Sequence, residues 1–315
     1  MKMFSLRMLL VLSLLVGLGS AGAVPAEAAR TAPAGVRVEQ WTGQDFTFLA
    51  LPAEKQSTGY EIFAAEQATR GLEGDRSLRI PYAEHVGKQV VVTKIVPFAA
   101  GGRQKEYMVY MTVKETDEKL VGRTMQGQLE GLLLSADLRN ARQQFLGKTV
   151  YPKFRELTGL YVPGRNSTPP ASVSTPIGAP VVVLDVYAGN KSQEPIWLIV
   201  DVNGEKAILP IAYSWTNMPI QSWTETPPWQ NALFMKNPRI SLGGSDALWQ
   251  KIQAGNVEEG MSKEQVQLSW GNPSRREKND SVWIYGTKQL QFRGDVLYSI
   301  ATISESQPGS YEDLL

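Results

Sequence analysis

The sequence predicts a mainly β protein with short helices, a β-rich α+β chain. It would hold two small antiparallel barrel-like domains followed by a module of two helices and a three-stranded sheet. Three observations predict this. Val-rich and aromatic runs alternate with polar residues at the period of a half-buried strand, and short polar turns divide them. One such set of runs recurs beyond a Pro/Ser/Thr-rich stretch. Helical punctuation is confined to short segments, most of them near the C-terminus.

At the N-terminus, Lys2 and Arg7 precede the apolar run 8–19, and small residues follow, with "AGA" (21–23) and "AEA" (26–28) as cleavage sites. This is the pattern of a secretory signal peptide over 1–28, its apolar core too short to span a bilayer. The run "GLGSAG" (17–22) fits a dinucleotide-binding pattern by letter only, because it lies inside that segment with no strand before it. No later stretch reaches transmembrane length, so the expected location is periplasmic, or alternatively secreted. Residues 29–39 are small and polar and read as a flexible leader.

The first barrel-like domain is expected over 40–162. "VGKQVVVTKI" (86–95), "EYMVYMTV" (106–113) and the turn "KETDEK" (114–119) read as part of a β-meander. Leu129, Leu132, Leu133 and Ala136 share a face at helical spacing, which predicts a helix within 128–148 lying across that barrel. "GKTVY" (147–151) restarts a strand. The Pro/Ser/Thr-rich 163–176 has no apolar period and predicts a linker.

The second barrel-like domain, 177–238, repeats the first. "IGAPVVVLDV" (177–186) aligns with 86–95, placing Gly178 on Gly87 and three valines on three, and "PIWLIVDV" (195–202) aligns with 106–113. The Asn-Gly of "NGEK" (203–206) favours a hairpin. On this pattern both copies resemble Src-homology-3-type small barrels. The loop that follows is dense in Trp and Pro. Trp215, Trp223, Trp229, Pro227 and Pro228 form a candidate binding site, since loops rarely carry so much apolar area without covering or gripping something. They would line a groove for an extended peptide or a glycan strand, or fold back as a lid that completes the core.

Residues 239–305 form the last module, with 306–315 as a tail. "SDALWQKIQAG" (245–255) has an N-cap, Leu248 and Ile252 four apart, and a Gly stop. In "GMSKEQVQLSWGNPSR" (260–275), Ser262 and Gln265 stand at capping-box spacing, Met261 and Val266 at hydrophobic-staple spacing, and Gly271 with Pro273 ends the helix near Trp270. "SVWIYG" (281–286), with Trp283, Tyr285 and Gly286, then "QLQF" (289–292) and "VLYSI" (296–300) supply three strands. The order "GMS", "GNP", "WIYG", "LQF", "VLYSI" resembles the SmpA/OmlA (BamE-like) family of envelope proteins. That resemblance implies two short helices on one sheet face and work in outer-membrane assembly through protein contacts. The chain departs from the family in having no Cys to carry a lipid anchor, and in Ser269, where an apolar residue is usual.

Little in the chain points to catalysis. With one His and no Cys, neither a zinc site nor disulfides are expected, and no cofactor is. His85 reads as a surface or strand-edge residue. No G-x-S-x-G motif occurs. Lys and Arg number 32 against 31 Asp and Glu; losing Lys2 and Arg7 leaves 30 against 31, a balance that argues against nucleic acid. The expectation is a non-catalytic exported bacterial envelope protein that binds another protein. Peptidoglycan binding through the Trp/Pro loop is the alternative. A second alternative is inhibition of a periplasmic hydrolase, which the β-lactamase-inhibitor-protein fold related to the SmpA/OmlA family implies.

Overall fold

The structure, a computed structural model, describes residues 37–99, 105–125, 127–163, 170–191, 194–214, 216 and 228–303. The signal peptide, most of the leader and the tail lie outside the described residues, as do Trp215, Trp223 and Pro227. The described chain is mainly β, with short helices and two curled antiparallel half-barrel sheets. Among the described residues no helix is long and apolar enough to cross a membrane.

The first sheet contains β1 (Asp45–Phe48), β2 (Tyr60–Ala64), β3 (Arg79–Ile80), β4 (Gln89–Ala99), β5 (Lys105–Val113), β6 (Lys119–Thr124) and β7 (Leu132–Leu134). Its spatial order is β3-β2-β6-β5-β4-β1-β7. Helices α1 (Ala53–Gln56), α2 (Ala68–Leu72) and α3 (Tyr82–His85) fill the connections, and α4 (Ser135–Phe145) leads onward. The second sheet contains β8 (Thr149–Pro152), β9 (Glu156–Gly159), β10 (Ser172–Ser174), β11 (Val181–Lys191), β12 (Glu194–Val202), β13 (Glu205–Ile211) and β14 (Leu233–Phe234), in the order β10-β9-β13-β12-β11-β8-β14.

Strand for strand, the second order is the first displaced by seven. The repeat visible in the sequence is therefore the middle of a duplication that covers the whole sheet. Its details recur: β4 and β11 each span 11 residues, with a register shift between Val92 and Lys94 in one and between Val183 and Asp185 in the other. Asn203 and Gly204 both have positive φ, the mirror-image turn that matches the twist of the strands it joins.

Three expected boundaries move. β8 and β9 lie inside the predicted first domain (40–162) yet pair in the second sheet. β10 lies inside the predicted linker and pairs with β9. Only Val173 of β10 faces inward, while Ser172 and Ser174 face water as an edge strand allows, so its composition looked like linker. The leader also ends early: Val38 is buried beside Trp41 in the first core.

The Leu-rich run also departs from expectation. Leu132 to Leu134 form a strand, not a helix, because both of their faces are buried. Leu132 and Leu134 enter the first core, while Leu133, with Leu49, enters the second. A run apolar on both sides has no period to separate strand from helix. Helix α4 begins only at Ser135, and it places Ala141 and Phe145 in the second core rather than lying across the first barrel.

The C-terminal module has α5 (Pro238–Ser241), α6 (Asp246–Gln253), α7 (Lys263–Trp270), β15 (Arg275–Glu277), β16 (Val282–Tyr285), β17 (Lys288–Arg293) and β18 (Val296–Thr302). Its sheet has four strands, not three: the charged segment 274–280 contributes β15, which pairs with β16. Trp249, Ile252, Met261, Val266, Trp283, Leu290, Phe292 and Leu297 form its core, and Ile177, from just before the second sheet's β11, joins them. Arg155 fastens the module to the second sheet by donating to the carbonyls of Ile252 (2.6 Å) and Gln253 (3.3 Å). A cation at a helix C-terminus satisfies acceptors that the helix leaves open.

Candidate functional site

Of the Trp/Pro candidates, Pro228 and Trp229 lie among the described residues, and both are buried. The Trp229 indole meets Phe145 edge to face, with centroids 5.5 Å apart, inside the second core. For this residue the lid reading holds and the open groove does not. Its Nε1 is buried without a hydrogen-bond partner among the described residues.

A polar cluster follows β13 in the same domain. Ser214 Oγ donates to Asp137 Oδ2 at 2.5 Å, Thr216 lies 3.0 Å from Ser214 Oγ, and Tyr213 donates to Gln144 at 2.9 Å. Burial pushes the Asp137 carboxyl up to about 6, with the Ser214 hydrogen bond opposing part of the shift. A serine donating to a basic carboxylate suggests nucleophile activation. Yet Ser214 is 3% and Asp137 5% exposed, which closes the pair to a substrate. The cluster stitches α4 to the end of β13.

The residues singled out in the C-terminal module serve packing. Ser262 Oγ accepts from the Gln265 N–H (3.2 Å) and Gln265 Oε1 accepts from the Ser262 N–H (2.9 Å), while Met261 and Val266 are fully buried. Gly271 has φ 80° and ψ −160°, a region essentially reserved for glycine rather than the left-handed helical one. Pro273 follows it, and Gly286 turns β16 toward β17 with φ 56°. Tyr285 donates to the Gly271 carbonyl (2.8 Å) and Trp283 to Asp280 (2.7 Å). Ser269, a buried polar residue of α7, donates to the Asn256 carbonyl (2.7 Å) and so satisfies itself in the core.

His85 is not at the surface. It is 2% exposed, with Nδ1 2.9 Å from the Pro81 carbonyl and Nε2 3.0 Å from Glu118 Oε2. Both neighbours are acceptors, so the ring is used to tie α3 to the turn before β6.

What sequence reasoning missed is the outer face of the second sheet. Trp197 and Ile199 of β12 and Ile208 of β13 form a small apolar cluster there, with Tyr161 packed against it. Beside it on β11, Val182, Leu184 and Tyr187 are exposed, at 43%, 42% and 51%. A sheet with one solvated face should carry polar residues at these alternate positions. The signal was present in "VVVLDVY" (181–187), whose outward positions are as apolar as its inward ones. Aligned on Gly87 and Gly178, Leu184 stands where the first copy has Thr93.

Comparison with protein-family profiles, with curated proteins and with solved structures finds no match to this chain.

Proposed function

We propose that this is a non-catalytic exported protein of the bacterial envelope that binds another protein through the outer face of its second half-barrel. The observation that carries the reading is the exposed strip of Val182, Leu184 and Tyr187 beside the Trp197 cluster. Duplicated sheets of one topology need only one inward apolar face each. On the outer face Trp197, Ile199 and Ile208 are already buried, with Tyr161 against them, whereas Val182, Leu184 and Tyr187 stay exposed and answer to something other than folding. Two of the three exposed residues, Val182 and Leu184, are branched aliphatics that give a sugar no flat ring to stack on, and Tyr187 is the one exposed ring beside them, which favours a protein surface over a glycan strand. The resemblance of the C-terminal module to the SmpA/OmlA family supports an envelope assembly role, and the N-terminal segment supports export.

Site-specific photo-crosslinking tests this. A photoreactive residue at Leu184 should give a discrete adduct in bacterial envelopes, and one at Thr93, the matching position of the first copy, should not. Equal adducts at both positions, or none at Leu184, would rule the surface out. Co-sedimentation with purified sacculi that survives Leu184→Asp would point instead to peptidoglycan.

A further inference from the structure

The first sheet carries a feature that its duplicate lacks. Along the strands β3, β2, β6 and β5, consecutive in the sheet, stand Arg79, Glu61, Arg123 and Glu106. Beside them opens a cavity of about 230 Å³ lined by Arg76, Arg79, Arg123 and Glu61, with Phe63 and Leu72 as its apolar wall. A second cavity of about 210 Å³ shares Glu61, Arg76 and Arg79. Gly71 of α2 lets the wall close: a Cβ there would lie 2.2 Å from the Phe63 ring.

The guanidinium groups are under-used by the protein. Arg79 Nη2 pairs with Glu61 Oε2 at 3.1 Å, but its Nε is buried without an acceptor among the described residues. Arg123 Nε is 3.7 Å from Glu106 Oε2, too far for a hydrogen bond. Among the described residues Arg76 has no ion-pair partner. A buried donor left unmet is costly, so native proteins rarely keep one without a use. The fold does not require these residues: the equivalent strands β9, β10 and β13 contain no arginine.

We infer that the cavity under α2 is a binding site for a phosphomonoester, held between Arg76, Arg79 and Arg123. Three arginines against Glu61 give the lining itself a net charge of two, with Glu106 behind Arg123 at 3.7 Å and outside the lining, which suits a group carrying about −1.5 to −2 at neutral pH. A single carboxylate would leave it half neutralised. Guanidinium forks suit phosphate oxygens by geometry as well as by charge, and the Phe63–Leu72 wall accommodates the alcohol part of the ester. The phosphate could belong to a soluble ester or to a lipid headgroup. This site stands on a different sheet from the proposed docking face and does not depend on it.

Titration of the full mature chain at low ionic strength tests the inference, with inorganic phosphate, glycerol 3-phosphate, and vesicles containing phosphatidic acid set against phosphatidylcholine alone. One saturable site is expected. Binding should weaken roughly tenfold or more in Arg76→Gln and in Arg79→Gln, the effect of losing a charge-assisted hydrogen bond, and be unchanged in Arg293→Gln on the C-terminal module. Binding to the soluble ester identifies a small-molecule ligand; binding to phosphatidic acid vesicles alone identifies a lipid. Should Arg79→Gln fail to fold, the exposed Arg76 decides. Absence of binding to every probe, or affinity untouched by Arg76→Gln, overturns the site.

Discussion

Asp137 shows how one buried residue sets the solution behaviour of a domain. Its carboxyl is held up near 6, chiefly by burial, against an ordinary value of 3.8. A raised folded value means that the native state holds the proton more tightly than the unfolded chain. The associated stability is present below about pH 4 and is lost as pH rises through about 6. The rise from 3.8 to about 6 corresponds to about 3 kcal/mol. Urea unfolding should therefore show wild type losing about that much relative to Asp137→Asn between pH 4 and pH 7. Parallel pH profiles for the two proteins would show the carboxyl to be solvated. Residues of this kind were only half legible beforehand. Ser262, Gln265 and Gly271 declare themselves because caps are local, within three or four positions. Asp137, Ser214 and His85 are brought to their partners by contacts across 77 and 33 residues, which no local pattern encodes.

Elements read well where a strand was long enough to show its run of β-branched and aromatic residues between turn signals, even where, as in β12, both faces are buried. β4, β5, β11 and β12 alternate or carry Val-rich runs, and α7 carries its own punctuation. They read badly where a run buried on both faces was only three residues long, as in β7, or where an edge left one apolar residue in three, as in β10. The β7 case has a consequence for stability. Leu133 leaves the first sheet to enter the second core, between neighbours that face the other way. Leu133→Ala should cost about 2–5 kcal/mol, the usual loss for a fully buried leucine. Because the strand serves both cores, fluorescence from Trp41 in the first and Trp229 in the second should shift to a lower urea midpoint together. A shift confined to one core would mean that the two half-barrels unfold independently.

Across the whole molecule, the joints are built from packing and hydrogen bonds rather than from linkers. Leu133 and α4 join the half-barrels, and Ile177, Arg155 and the Lys153–Glu264 pair (3.6 Å) join the second half-barrel to the C-terminal module. Burial holds the Lys153 ammonium below its usual value, with Glu264 opposing the shift, so this joint is partly dry. Arg155→Ala should remove about 1–3 kcal/mol at this joint. Faster amide hydrogen exchange in α6, with the first sheet's amides unchanged, is the readout; unaltered α6 exchange would show the joint to be carried by Ile177 and the Lys153–Glu264 pair without Arg155.

The sequence by itself determined the mainly β class, the central strands of the duplication, the helix ends near Ser262 and the scarcity of catalytic residue types. Each rests on short-range periodicity or composition. Tertiary structure alone decided that the duplication spans all seven strands and that the boundaries fall where they do. It also decided which arginines gather under α2 and which apolar residues are left facing outward on β11. Those depend on which strands become neighbours, and strand order is fixed by burial summed over the whole chain, not by any window within it.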